Sequence, residues 1–211
     1  MIKMIKLIVF DLWDTLAYKD TFIRSTLQIF KKIKLLIPYD KFVKIYEQSV
    51  QTKKWKSKYD AYKNLCKNLG IETNDRNIKL IMFIRDKAEA RTKLFPRSLS
   101  MLRQLKKQGY KTGIISNTSV FSIEPLKKTK FFSYIDYPLF SFDAGIIKPN
   151  SKIFKMLLKK ARCKPEEAIM IGDTFEDDIL PAKKIGMNTI LFKDYNNLRK
   201  KLSEFSIKLN P

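Results

Sequence analysis

Histidine is absent from all 211 residues. That absence excludes Ser-His-Asp and Cys-His nucleophilic catalysis, histidine-ligated zinc and imidazole acid–base chemistry. Cysteine is scarce: Cys66 and Cys163 lie far apart and frame no disulfide scaffold, so a reducing, cytoplasmic location is expected. No run of 18 or more apolar residues occurs, and no membrane-spanning helix is expected. Asp11 and Asp14 interrupt the first apolar stretch, and no small-residue cleavage site follows, so no secretory leader is expected. Hydrolytic chemistry in such a chain must run on carboxylates, lysine, hydroxyls or a hard metal held by oxygen.

Positive charge, by contrast, is abundant. There are 43 Lys and Arg against 21 Asp and Glu, a formal net charge of +22. Half of that excess, +11, falls in residues 17–95 and half in the remainder, so the charge is only somewhat denser in that segment. A nucleic-acid partner, an anionic small substrate and a merely solvated lysine-rich surface all fit such a balance.

Five short apolar segments read as buried parallel strands: 4–10, 111–116, 137–141, 168–172 and 188–193. Their apolarity is continuous rather than alternating, as expected of strands covered on both faces. Helical patterns separate them at 97–108, 150–161 (capped by Asn150 or Ser151) and 176–185. Strand–helix alternation predicts an α/β fold, a Rossmann-like doubly wound parallel sheet with its sites at the carboxyl ends of strands. The first strand breaks the rhythm. Some eighty residues follow it before the next strand, and they read as helices over 20–37 (ended by Pro38), 40–52 (capped by Asp40), 57–69 and 74–92. The expected division is a core of residues 1–16 and 96–211 with an all-helical cap over 17–95.

Four chemical signals follow four predicted strands. They are Asp11; Ser116-Asn117-Thr118; Lys148-Pro149; and "IGDTFEDD", which carries Asp173, Glu176, Asp177 and Asp178. Strand ends converge at one edge of such a sheet, so groups distant in sequence can share one site. A carboxylate nucleophile, hydroxyl and amide donors, a cation and a second acidic cluster form a coherent set. Asp11 and Asp173 suit Mg²⁺, a hard cation that takes oxygen ligands.

With Asp11, Ser116, Lys148 and the GDxxxxD pair Asp173 and Asp178 in order, the sequence resembles the haloacid dehalogenase superfamily of aspartate-nucleophile hydrolases. The stretches "KTGIISNTS" and "GIIKPNSKIF" carry much of that resemblance, which spans the chain outside the variable insertion. It implies that Asp11 forms a covalent aspartyl intermediate that water hydrolyses. It also implies that Asp11, the backbone carbonyl of Trp13 and Asp173 bind Mg²⁺, with Asp178 supporting the site. Ser116 and the backbone after it would bind a phosphoryl oxygen, with Asn117 and Thr15 as further substrate-side candidates. Lys148 would act electrostatically.

Trp13 departs from the pattern. Phosphatases of the superfamily keep a second Asp there as general acid and base, a service worth roughly 10²–10⁴-fold, and indole cannot perform it. Asp14, one residue on, is the candidate replacement. Duller readings stand beside these. Asp14 and Thr15 suit a local turn, Glu176 and Asp177 suit a helix N-terminus, and Trp55, Tyr59 and Tyr62 suit packing inside the helical segment rather than stacking on single-stranded nucleic acid.

The expected activity is Mg²⁺-dependent hydrolysis of a small, anionic phosphorylated metabolite by a monomer or homodimer. A metal-independent 2-haloacid dehalogenase is one alternative, because an aromatic residue stands at position 13 in that branch. The complete acidic cluster of the fourth motif argues against it. A catalytically weakened protein that binds nucleic acid through its basic surface is the other.

Overall fold

The computed structural model describes residues 4–21 and 24–210. A five-stranded parallel sheet forms its centre, built from β1 (Leu7–Phe10), β4 (Lys111–Ser116), β5 (Tyr137–Phe140), β6 (Ala168–Gly172) and β7 (Asn188–Leu191) in the order β5-β4-β1-β6-β7. β1 lies in the middle, with Leu7 opposite Lys111 on one side and Ala168 on the other. All four of its residues are buried. Alternate β1 side chains serve opposite layers. Ile8 and Phe10 join a cluster with Met101, Leu102 and Leu105 of α5 (Ser98–Lys107) and with Leu198 and Leu202 of α10 (Tyr195–Ser203). Leu7 and Val9 join Ile153, Phe154, Leu157 and Leu158 of α8 (Ser151–Ala161) and Ala182 of α9 (Leu180–Lys184). Covering both faces is what lets a parallel sheet of apolar strands persist in water. Two short helices, α6 (Glu124–Lys127) before β5 and α7 (Ser141–Ala144) after it, complete the set around the sheet, and the doubly wound α/β core expected from the sequence is the observed one.

Between β1 and α5 the chain builds α1 (Ser25–Ile33), α2 (Tyr39–Val50), α3 (Lys58–Leu69) and α4 (Asp75–Glu89). These helices bury a third cluster of their own, including Ile29, Phe42, Tyr46, Tyr62, Leu65, Ile78 and Ile81. Ser57 and Asn74 accept hydrogen bonds from backbone N–H groups three residues on and so start α3 and α4.

Several details differ from the sequence reading. The expected helix over 20–37 includes positions 22 and 23, which lie outside the described residues. α1 stops at Ile33 because Lys34 turns left-handed, with φ 55°. α2 begins directly after Pro38, so Asp40 sits in its first turn and favours the helix dipole rather than capping it. The segment 17–95 is not helical at its ends. There β2 (Ala17–Lys19) pairs antiparallel with β3 (Thr92–Leu94), because an insertion that leaves and re-enters one sheet edge brings its two ends together. The expected helix 176–185 opens as a π-turn over Phe175–Ile179 before α9. Trp55 and Tyr62 pack against the third cluster as expected, whereas Tyr59 is exposed and donates to Asp75. Among the described residues no helix is long and apolar enough to cross a membrane.

Candidate active site

Asp11 is the residue at which β1 leaves the sheet. Its backbone N–H still donates to Ile171 O of β6 at 2.8 Å, so the central strand fixes its position, and its side chain is buried. Lys148 reaches the same point from the loop before α8. Its Nζ lies 2.7 Å from Asp11 Oδ1 and 2.5 Å from Asp178 Oδ1, and the ammonium is itself buried. A buried cation survives only when paired, and two carboxylates pair this one.

The loop that carries Lys148 is clasped by Asn117. Asn117 Nδ2 donates to Lys148 O at 3.1 Å, and Lys148 N donates to Asn117 Oδ1 at 2.8 Å. Asn117, expected at the substrate, therefore has its amide committed to the lysine backbone. Ser116, at the end of β4, is fully buried, and among the described residues its Oγ has no hydrogen-bond partner. A buried hydroxyl without a partner is costly, and here it stands at the sheet edge that carries the other groups.

The acidic end of β6 is shaped by Gly172. A Cβ at that position would lie 2.3 Å from Asp178 Cγ and Oδ2, so only glycine lets the Asp178 side chain fold back over the strand. Thr174 N donates to Asp178 Oδ2 at 3.2 Å and holds it there. Thr15 is buried, with Oγ1 3.4 Å from Asp173 Oδ1, a long bond that orients the acid weakly.

Among the described residues Asp11, Asp173 and Asp178 each bring a carboxylate oxygen within 4.8 Å of the others. Burial pushes Asp11 above the ordinary carboxylate range, Lys148 opposes this, and Asp178 adds to it. Burial, Asp178 and Asp14 push Asp173 the same way. Crowded oxygen donors with one ammonium among them form a donor set suited to a hard divalent cation, whose charge would favour the ionised carboxylates.

Trp13 and Asp14 leave this cluster in different directions. The Trp13 indole N–H donates to Thr118 Oγ1 at 3.1 Å, and Lys19 Nζ stands 3.5 Å from the centre of its ring. Burial and the neighbouring Arg85 hold that ammonium well below the ordinary lysine range, with Glu89 and Asp14 opposing. Asp14 adopts φ 58°, and its half-exposed carboxylate lies 3.5 Å from Arg24.

The helical segment contributes residues that the sequence did not single out. A cavity of about 1090 Å³ lies against α2 and the loop before α8, lined by Tyr39, Lys44, Glu47, Lys148 and Asp177 among others. Burial pushes Glu47 up to about 7, with Asp177 adding to the shift and Lys148 opposing it. Nothing in the sequence marks Glu47, Lys19 or Arg85, because only packing brings them to the edge of the sheet.

Comparison with known proteins bears on this arrangement. The profile described as haloacid dehalogenase-like hydrolase matches residues 5–186. A glyceraldehyde 3-phosphate phosphatase of Methanothermobacter thermautotrophicus is 31% identical over 195 residues, 89% of this chain and 85% of that one. Among solved structures, a HAD phosphatase from Thermococcus onnurineus aligns with a TM-score of 0.61 at 22% identity, over 94% of this chain and 98% of its own. A HAD family enzyme from Bacteroides thetaiotaomicron, solved with magnesium and inorganic phosphate, aligns with a TM-score of 0.66 at 22% identity, over 92% and 98%.

Proposed function

Because the chain belongs to the haloacid dehalogenase-like hydrolase family, we propose that it is a Mg²⁺-dependent phosphatase of a small phosphorylated metabolite. The observation that carries this reading is the pairing of Asp11 with Lys148 at 2.7 Å inside a cluster of further carboxylates. Such a site can deliver an anionic nucleophile to an anionic substrate only if cations offset the repulsion. The name and activity of the Methanothermobacter phosphatase support the same class of reaction.

In this reading an Asp11 oxygen attacks phosphorus, and the bond from phosphorus to the leaving oxygen breaks. Water then hydrolyses the aspartyl-phosphate, releasing phosphate and the free carboxylate. Lys148 stabilises both the nucleophile and the transferring group, and Asn117 positions Lys148 through its backbone. Ser116 Oγ, which has no partner among the described residues, donates to a phosphoryl oxygen. Asp11, Asp173, Asp178 and the Trp13 carbonyl would hold Mg²⁺, which supplies charge neutralisation at the phosphoryl oxygens. Thr15 holds Asp173 only weakly, and Asp14, three residues after Asp11, is the candidate acid for the leaving group. Residues 1–16 and 96–211 act as the catalytic core and 17–95 as a cap that excludes water. The unpaired Cys66 and Cys163 suit a reducing cytoplasm.

The test is turnover of p-nitrophenyl phosphate and a panel of phosphorylated metabolites, with Mg²⁺ and with chelator. Turnover is expected to need the metal and to fall to background in Asp11→Asn. Equal activity in wild type and Asp11→Asn would sink the assignment. Halide release from 2-chloropropionate, insensitive to chelator, would replace it with the dehalogenase reading.

A further inference from the structure

Beside the site a lysine, Lys19, rests on the Trp13 indole. A cavity of about 340 Å³ adjoins the turn that follows Asp11. Trp13 and Asp14 form one wall, and Lys19, Arg24, Ser25 and Arg85 contribute the others. Trp13 is two residues from the nucleophile, so their Cα atoms are at most about 7 Å apart.

The cations around this cavity are incompletely matched. Lys19 extends from β2 onto the Trp13 ring, which the bond to Thr118 holds in place. Among the described residues Lys19 has no hydrogen-bond acceptor and no carboxylate in direct contact; Glu89 and Asp14 act on it only from a distance. Arg85 of α4 is buried and donates to Ser25 Oγ at 2.7 Å and Ser122 Oγ at 2.8 Å. Its nearest carboxylate, Glu89, stands 3.6 Å away and is bound more closely by Lys58, at 2.7 Å. Arg24 has Asp14 at 3.5 Å. Three basic side chains therefore converge on a wall where, among the described residues, Asp14 is the one acid, with Glu89 behind Arg85, and an anion there would favour the charged form of Lys19. Withdrawing an ammonium from water without an anion is costly, and a ligand anion would supply what the protein omits.

We propose that this cavity is a subsite for a second anionic group of the substrate, a carboxylate or a second phosphate, bound by Lys19 and Arg24 with Arg85 behind them. The assignment rests on the phosphatase reading, in which the phosphoryl group of the same molecule lies against Asp11. Trp13 is then a platform: it replaces the family's acid with a surface that aims Lys19 at the substrate's far end.

Three esters of similar size test the proposal: 2-phosphoglycolate, ethane-1,2-diol bisphosphate and 2-hydroxyethyl phosphate. With Mg²⁺, the doubly anionic esters are expected to exceed the hydroxyl ester in kcat/KM by tenfold or more, chiefly through KM. Lys19→Met should bring that ratio near one, and Lys19→Arg should keep most of it. Whichever of the two anionic esters is preferred identifies the anion. In a parallel binding measurement on Asp11→Asn protein, adding Lys19→Met should weaken 2-phosphoglycolate more than 2-hydroxyethyl phosphate. Equal turnover of all three esters by wild type overturns the subsite and leaves the phosphatase intact. A preference that survives Lys19→Met overturns it as well. Turnover of none overturns the phosphatase reading, and calorimetry on Asp11→Asn protein still decides whether the second anion is bound.

Discussion

Position 13 concentrates the chemistry of single residues. An aspartate there would hand a proton to the leaving group. Trp13 instead donates its indole N–H to Thr118 and carries Lys19 on its face. The consequence depends on the leaving group, since a nitrophenolate departs unprotonated and an alkoxide does not. Trp13→Asp is therefore expected to raise kcat for an alkyl phosphate by tenfold or more, within the roughly 10²–10⁴-fold that a placed acid supplies. For p-nitrophenyl phosphate it should change kcat little. The same substitution removes the platform under Lys19, so any preference for doubly anionic esters should shrink. No gain with the alkyl ester in folded protein would mean that Asp14 already delivers the proton.

At the scale of elements, the junction of β6 and its π-turn decides the acidic half of the site. Asp178 reaches back to Lys148 because Gly172 leaves it room, and the wide turn over Phe175–Ile179 returns the chain over the strand end. Gly172→Ala would place a methyl group 2.3 Å from the Asp178 carboxyl carbon. The carboxylate must then move and loosen its hold on Lys148. Overpacking of this kind costs about 1–3 kcal/mol, and each kcal/mol lowers Tm by about 2–4 °C in a protein of this size. Thermal unfolding and a Mg²⁺ titration would both register the change. An unaltered Tm with unaltered metal response would show that the contact is not needed. The GDxxxxD spacing announces two acids after a strand, but the π-turn that makes them converge has no signature of its own, because it trades hydrogen-bond geometry for side-chain placement.

For the molecule as a whole, the relation of α2 to the sheet edge has a pH signature. Glu47 is pushed up to about 7 by burial, with Asp177 adding and Lys148 opposing. Lys44, on the same helix, faces Asp177 in turn. A carboxyl with a higher pKa folded than unfolded binds its proton more tightly in the native state. Stability then falls as pH rises from about 4.3, the unfolded value, through about 7. Glu47→Gln removes the ionisation, so the variant should gain Tm relative to wild type between pH 5 and pH 8. Parallel Tm curves for the two proteins would contradict the placement of Glu47.

The apolar runs and their spacing determine the doubly wound sheet, since a strand buried on both faces must be apolar throughout and the helices between must cover it. The order of Asp11, Ser116, Lys148 and Asp173 after those strands carries the family resemblance and makes Asp11 the proposed nucleophile, because parallel strands deliver their ends to one edge. Lys19, Arg85 and Glu47 are invisible at that level, being three charges in a chain with 43 basic and 21 acidic residues. Only the tertiary structure singles them out, because burial against a neighbour, not residue type, sets a charged side chain apart from the many others on the surface.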